Sequence, residues 1–184
     1  MNDLKKNKTP INSHIIILGY MACGKSSVGK YLEKQTNLKF IDLDEIIERS
    51  EDMTISNIFK SKGEVEFRKI ENKILIETLN LSETSIISLG GGTPCYFNNM
   101  NVINSNSKNV FFLDTPNEIL SKRLYLEKDS RPLISHFSSL SQIKEFVSKH
   151  IFERTKFYNM AAHKIYAGEK KIEEISNEII AIIS

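Results

Sequence analysis

The sequence predicts an α/β fold: a parallel sheet with helices on both faces, three layers in all. Three observations carry that prediction. Strand-like and helix-like patterns alternate to the end of the chain. The first strand-like run, Ile15-Ile16-Ile17-Leu18, is apolar throughout, as in a strand buried on both faces. A glycine-bounded loop then joins that run directly to a helical pattern carrying Val28, Tyr31 and Leu32.

Taken in order, the expected strands are His14–Leu18, Lys39–Asp42, Ser85–Leu89, Asn109–Leu113 and Lys164–Ala167. The expected helices are Lys25–Thr36, Asp44–Ser50, Thr54–Ser61, Glu64–Leu79, Pro116–Leu126, Leu140–Ala162 and Ile172–Ile183. The 184 residues are enough for one domain with a real core and no staples. Two stretches break the simple alternation: a helical segment of about 44–79 between two strands, and a polar run of about 127–135. They suggest an inserted subdomain and a lid on a core of about 14–43, 80–126 and 136–184.

Bulk properties exclude several classes. Net charge is +2, from 25 basic and 23 acidic residues, which offers no electrostatic case for nucleic acid or anionic membrane. No apolar run approaches the roughly 20 residues that span a bilayer. Cys23 and Cys95 are the only two cysteines, no disulfide framework, and suit a reducing cytosol. Met1–Ser13 is polar, lacks a hydrophobic signal core and is expected to be a frayed leader.

The loop after the first strand reads Gly19-Tyr20-Met21-Ala22-Cys23-Gly24-Lys25-Ser26, which is G-x-x-x-x-G-K-[ST]. Between a strand and a helix this pattern makes a phosphate site. Backbone N–H groups and the helix N-terminus converge on one anion, Lys25 adds charge for the β- and γ-phosphates, and Ser26 suits a magnesium ion. An ordinary strand-to-helix turn is the bland alternative. Gly19, Met21, Ala22, Cys23, Gly24, Lys25, Ser26 and Ser27 form the expected nucleotide-binding set. Cys23 is expected to be a small loop residue, with redox sensing by a thiol near a helix N-terminus as the sharper alternative.

Asp42 and Asp44 close the second strand, and residues two apart share a face. Both carboxylates can therefore reach the magnesium and phosphate region, although Asp44 is also a plausible N-cap. Gly90-Gly91-Gly92 follows the third strand and permits close backbone approach to a ligand, or is a loose loop. In the long helix the apolar stripe runs Ile143, Val147, Ile151, Arg154, Tyr158, Ala161, which puts Arg154 on the inward face. A guanidinium there needs an anion, either a ligand carboxylate or an internal glutamate. Arg68, between Glu64 and Glu71, fits a ligand clamp or a surface salt-bridge ladder. Arg131, in Lys128-Asp129-Ser130-Arg131-Pro132-Leu133, fits a lid cation on a triphosphate or a solvated charge run. The four histidines show no metal-ligand spacing.

As an ordered series, Gly19–Ser26, Asp42-Leu43-Asp44, Phe67-Arg68-Lys69-Ile70-Glu71, Gly90-Gly91-Gly92, Arg131-Pro132-Leu133 and Glu153-Arg154-Thr155-Lys156-Phe157-Tyr158 resemble the shikimate kinase family. The likeness covers roughly Ile15 to Ala167. It implies the P-loop nucleoside-triphosphate kinase fold with a substrate-binding insert and a lid. It implies transfer of the ATP γ-phosphoryl group to the 3-hydroxyl of shikimate in aromatic amino-acid biosynthesis, with Mg2+, by a cytoplasmic monomer. By motif match, Lys25 and Ser26 carry phosphates and magnesium, and Asp42 helps hold the ion through water. Asp44 contacts the substrate hydroxyls and accepts the proton. Arg68 and Arg154 clamp the carboxylate, Gly90, Gly91 and Gly92 supply backbone on the substrate side, and Arg131 is the lid arginine on ATP. Arg123 is placed on the adenine side. Ala22 departs from the family, which usually has glycine there, leaving its backbone angle open. A small kinase acting on gluconate or a nucleoside monophosphate is the rival enzyme. A GTPase switch is disfavoured because Asn72-Lys73-Ile74-Leu75 fails N-K-x-D and no D-x-x-G occurs.

Overall fold

The computed structural model describes residues 11–128, 131 and 133–183. Of the expected leader, residues 1–10 lie outside the described residues, as do Asp129, Ser130 and Pro132 of the lid run, and Ser184.

Five strands, β1 (Ile15–Leu18), β2 (Lys39–Asp42), β3 (Ser85–Ser88), β4 (Asn109–Asp114) and β5 (His163–Tyr166), form one sheet in the order β2-β3-β1-β4-β5. Every neighbouring pair is parallel. Ile15 of β1 faces Ile86 of β3 on one side and Asn109 of β4 on the other. The central strand carries no polar residue, and all four of its side chains are fully buried. Chain direction around the sheet reverses beside β1, so a crevice opens at the carboxyl ends of β1 and β3, where such folds bind ligands.

Seven helices surround the sheet among the described residues: α1 (Lys25–Thr36), α2 (Leu43–Glu51), α3 (Ile55–Leu79), α4 (Asn99–Asn106), α5 (Asn117–Leu126), α6 (Leu140–Tyr158) and α7 (Ile172–Ile183). Local chemistry sets several starts. Ser139 and Gln142 close a capping box on α6, and the Thr54 side chain accepts from Asn57 N–H at the start of α3. Gly63 interrupts α3 with φ 78° and ψ 170°. The two helices expected at Thr54–Ser61 and Glu64–Leu79 are thus the halves of one broken helix.

Three expectations need correcting. Asp42, not Asp44, caps α2: its Oδ1 accepts from Asp44 N–H at 3.2 Å and the helix starts at Leu43. The long helix ends at Tyr158, short of Ala162, because the chain turns at Met160 and Ala161 to enter β5. A 3-10 turn at Thr93–Cys95 and helix α4 follow the glycine run where no element was expected. The asparagine-rich run Asn98–Asn101 has weak intrinsic helix propensity, yet α4 buries Asn99, Met100 and Ile103.

Candidate active site

The loop from Gly19 to Gly24 leaves the buried end of β1 and enters α1. Gly24, at φ 104°, makes the turn into the helix. Ala22 also lies in the left-handed region, at φ 63°, which glycine adopts freely and alanine only at a cost of about 1–2 kcal/mol. Lys25 Nζ folds back onto the loop and donates to the carbonyls of Gly19 (3.0 Å) and Tyr20 (3.1 Å). Cys23 is buried in the same fold, with Lys25 Nζ 3.9 Å from its sulfur. Cys23 and Cys95 are both free thiols, and burial pushes Cys95 up to about 11.

A cleft of about 440 Å³ runs over this loop. Lys25, Ser26, Asp42, Asp44, Arg123 and Arg131 all line it. Ser26 Oγ donates to Asp42 Oδ2 at 2.7 Å, so hydroxyl and carboxylate meet at the mouth of the phosphate loop. Among the described residues no group of three or more His, Cys, Asp or Glu side chains forms a metal cage. One hydroxyl and one carboxylate, Ser26 and Asp42, fit a magnesium ion, which takes one or two protein oxygens and completes its shell with water and phosphate. Arg123 Nη1 donates to the Ala22 carbonyl at 3.0 Å, bracing the loop's backbone. Arg131 is paired with Glu127 at 2.6 Å and borders the same cleft.

Asp44 lies across the cleft from the loop on the first turn of α2. Burial, then the nearby Asp42 carboxylate, raise its carboxyl to about 6, against the pull of Lys25. An aspartate tuned towards neutrality in a cleft has the profile of a general base.

Beyond Asp44 the glycine run sits under two arginines. A Cβ at Gly90 would lie 2.7 Å from Asp44 Oδ1, and one at Gly92 would lie 2.7 Å from Arg68 Nη2. The close approach explains why side chains are absent there. Arg68, on the broken helix α3, pairs with Glu71 at 2.7 Å and with Glu64 at 3.5 Å. The expected salt-bridge ladder is therefore present, but it is not a surface ladder: the side chains of Arg68 and Glu71 are 11% and 1% exposed. Burial opposes the Arg68 cation, yet Glu71, Tyr96 and Glu64 together outweigh it and hold the guanidinium above its ordinary value. Rings of Phe59, Phe67 and Tyr96 surround it, with Tyr96 nearest at 4.0 Å. Arg154 comes from α6 as its periodicity requires. Its guanidinium lies 5.5 Å from the Tyr20 ring centroid, and Nη1 reaches the Gly91 carbonyl at 3.5 Å. No carboxylate among the described residues lies within ion-pair distance of Arg154, so the internal glutamate partner is not found.

Several contacts of the site escaped the sequence reading. Glu71 Oε1 accepts the Thr93 hydroxyl at 2.6 Å, and Asn99 donates to the Thr93 carbonyl at 2.7 Å, a buried chain fixing the floor under Arg68. Tyr158 donates to the Gly91 carbonyl at 2.5 Å. Tyr20 reaches His150 Nδ1 at 3.3 Å, and burial raises its hydroxyl to about 12. Only Glu71 and Tyr158 left a signal, a polar group on an otherwise apolar helical stripe.

Comparison with known proteins agrees with this geometry. The family model described as shikimate kinase matches residues 21–184. A shikimate kinase of Flavobacterium johnsoniae is 40% identical over 170 residues, covering 92% of this chain and 98% of the relative. The crystal structure of shikimate kinase from Bacteroides thetaiotaomicron superimposes with a TM-score of 0.86 at 31% identity, over 93% of this chain and 98% of that one. A shikimate kinase from Acinetobacter baumannii, solved in complex with shikimate, gives a TM-score of 0.81 at 27% identity, over 93% and 92% of the two chains. A parallel five-stranded sheet, a phosphate loop at the end of its central strand and these matches along nearly the whole length have one reading: the chain belongs to the shikimate kinase family, ATP-dependent kinases with an alcohol acceptor.

Proposed function

We propose that this protein transfers the γ-phosphoryl group of ATP to the 3-hydroxyl of shikimate, giving shikimate 3-phosphate and ADP for aromatic amino-acid biosynthesis. One observation carries the reading. Asp44, its carboxyl raised to about 6, stands between a phosphate loop and a pair of arginines, only one of which has a carboxylate partner among the described residues. A polyphosphate on one side and a carboxylated alcohol on the other fit that charge pattern.

Each residue then has a task. The loop residues from Gly19 to Ser27 cradle the polyphosphate, and Lys25 leaves the loop carbonyls to meet the transferred group. Ser26 and Asp42 are the groups that would hold Mg2+, which when bound supplies charge neutralisation at the phosphates. Arg131, on the lid, adds a cation over the γ-phosphoryl as the lid closes and water leaves. Arg123 supports the loop and borders the nucleotide. Arg68 and Arg154 grip the substrate carboxylate over Gly90, Gly91 and Gly92, so that one ring hydroxyl faces the phosphorus. That hydroxyl gives its proton to Asp44 as its oxygen bonds to the γ-phosphorus. The bond from that phosphorus to the bridging oxygen breaks, and the electron pair leaves with ADP. Residues of about 44–79 serve as the acid-binding insert and about 127–135 as the lid. A cytoplasmic monomer requiring Mg2+ goes with this reading.

The experiment is ADP release from ATP and Mg2+, with shikimate, gluconate and nucleoside monophosphates assayed in parallel. Release with shikimate alone is expected. Release with gluconate or a nucleotide, and none with shikimate, defeats the proposal.

A further inference from the structure

One carboxylate beside the arginines has no part in the transfer. Glu64 is the first residue after the break in α3 at Gly63. A Cβ at Gly63 would meet nothing within 4 Å, so the glycine serves the positive φ rather than packing. The helix restarts at Glu64, and its carboxylate reaches one turn along to Arg68, 3.5 Å from Nη2. The Tyr96 hydroxyl donates to Glu64 Oε1 at 2.7 Å, while the Arg68 guanidinium carbon lies over the Tyr96 ring, 4.0 Å from its centroid. Arg68 thus has two carboxylates of different standing. Glu71 holds Nη1 at 2.7 Å from a side chain 1% exposed, and has nowhere to go. Glu64 is 55% exposed and only loosely in contact, beyond a good hydrogen-bond length. Arg68 Nε is buried with no acceptor, so the guanidinium has donor capacity that its own chain leaves unused.

We propose that Glu64, tethered by Tyr96, is a stand-in for the substrate carboxylate: it occupies the outer side of Arg68 in the free enzyme and yields to the incoming acid. The inference rests on the acid-binding reading above. Two anions cannot share Nη2 without strong repulsion, and of the two residents only Glu64 borders solvent into which it can swing. At 3.5 Å, and with the Glu64 side chain 55% exposed, this contact is the looser of the two and the one that can be exchanged. It helps orient the outer side of Arg68 while the cleft is empty, and it disfavours ligands without a carboxylate, which cannot replace the one displaced.

The test is calorimetric titration of shikimate into the full chain without nucleotide, with steady-state kinetics alongside. Glu64→Gln keeps the shape and removes the charge; Glu64→Ala removes both. Both are expected to bind shikimate about three- to tenfold more tightly, with the change in KM rather than kcat. Tyr96→Phe unties Glu64 and is expected to shift affinity the same way by less. Unchanged or weaker binding in both Glu64 variants overturns the proposal and makes Glu64 a support for Arg68. Wild-type protein that phosphorylates shikimate while the variants fail to tighten defeats this inference alone. Wild-type protein that neither binds nor phosphorylates shikimate defeats the functional reading with it.

Discussion

Ser26 Oγ donates to Asp42 Oδ2 at 2.7 Å across the gap between α1 and the end of β2. Asp42 has a second task, since its other oxygen caps α2. Substitution separates the two. Asparagine caps a helix as well as aspartate does, so Asp42→Asn is expected to keep thermal stability within about 0.5 kcal/mol. Losing the charge should raise the Mg2+ concentration for half-maximal turnover by on the order of tenfold or more. A magnesium titration at fixed ATP reads this directly; an unaltered midpoint would remove Asp42 from the metal site.

Asp44→Asn is expected to lower turnover by about two to four orders of magnitude while ATP still binds. Wild-type kcat/KM should rise with pH through an apparent value of about 6. Stability should move the opposite way. The folded value lies above the roughly 3.9 of an aspartate in an unfolded chain. The stability this raised carboxyl contributes is therefore fully present below pH about 4 and lost as pH climbs through about 6. At neutral pH the unliganded Asp44→Asn protein should be the more stable by on the order of 1–2 kcal/mol, the gap closing in acid. Denaturant melts at several pH values measure it, and equal melts throughout would contradict a buried, raised carboxyl.

The two arginines should fail differently. Arg154 has no carboxylate partner among the described residues, so Arg154→Ala is expected to weaken shikimate by about 2–4 kcal/mol with the fold and ATP affinity retained. Arg68→Ala strands the buried Glu71, so it should lose shikimate affinity and also about 3 kcal/mol of stability. Parallel substrate binding and chemical melts decide between them. Loss of ATP rather than shikimate in the Arg154 variant would mean that α6 is assigned to the wrong half of the cleft.

Ala22→Gly should stabilise the protein by about 0.5–1 kcal/mol, because φ 63° is strained for alanine and free for glycine. Urea midpoints suffice to test it. A destabilised variant would show that chain entropy outweighs the relieved strain.

What could be read from the chain beforehand was local or periodic. The phosphate loop is a contiguous run whose backbone chemistry is written in its glycines, and Arg154 declared its face through the spacing of Ile143, Val147 and Ile151. Gly63 broke a helix where a glycine separated two patterns. What escaped depends on partners far along the chain. Nothing near Tyr96 announces that its ring will cover Arg68, 28 residues earlier. Thr93 and Asn99 look like ordinary polar loop residues until Glu71 arrives from α3 to accept from Thr93. The capping of α2 went to Asp42 rather than Asp44 because both aspartates suit the role in sequence, and the end of β2 decides which one has extended backbone.

The polyphosphate loop hangs from β1, a strand flanked by β3 and β4 whose four side chains are wholly buried on the two faces of the sheet. A cradle mounted on a central, fully buried strand is cast before its guest arrives. Little freedom is left to surrender on docking, so the favourable energy of gripping ATP remains available for aligning the reaction.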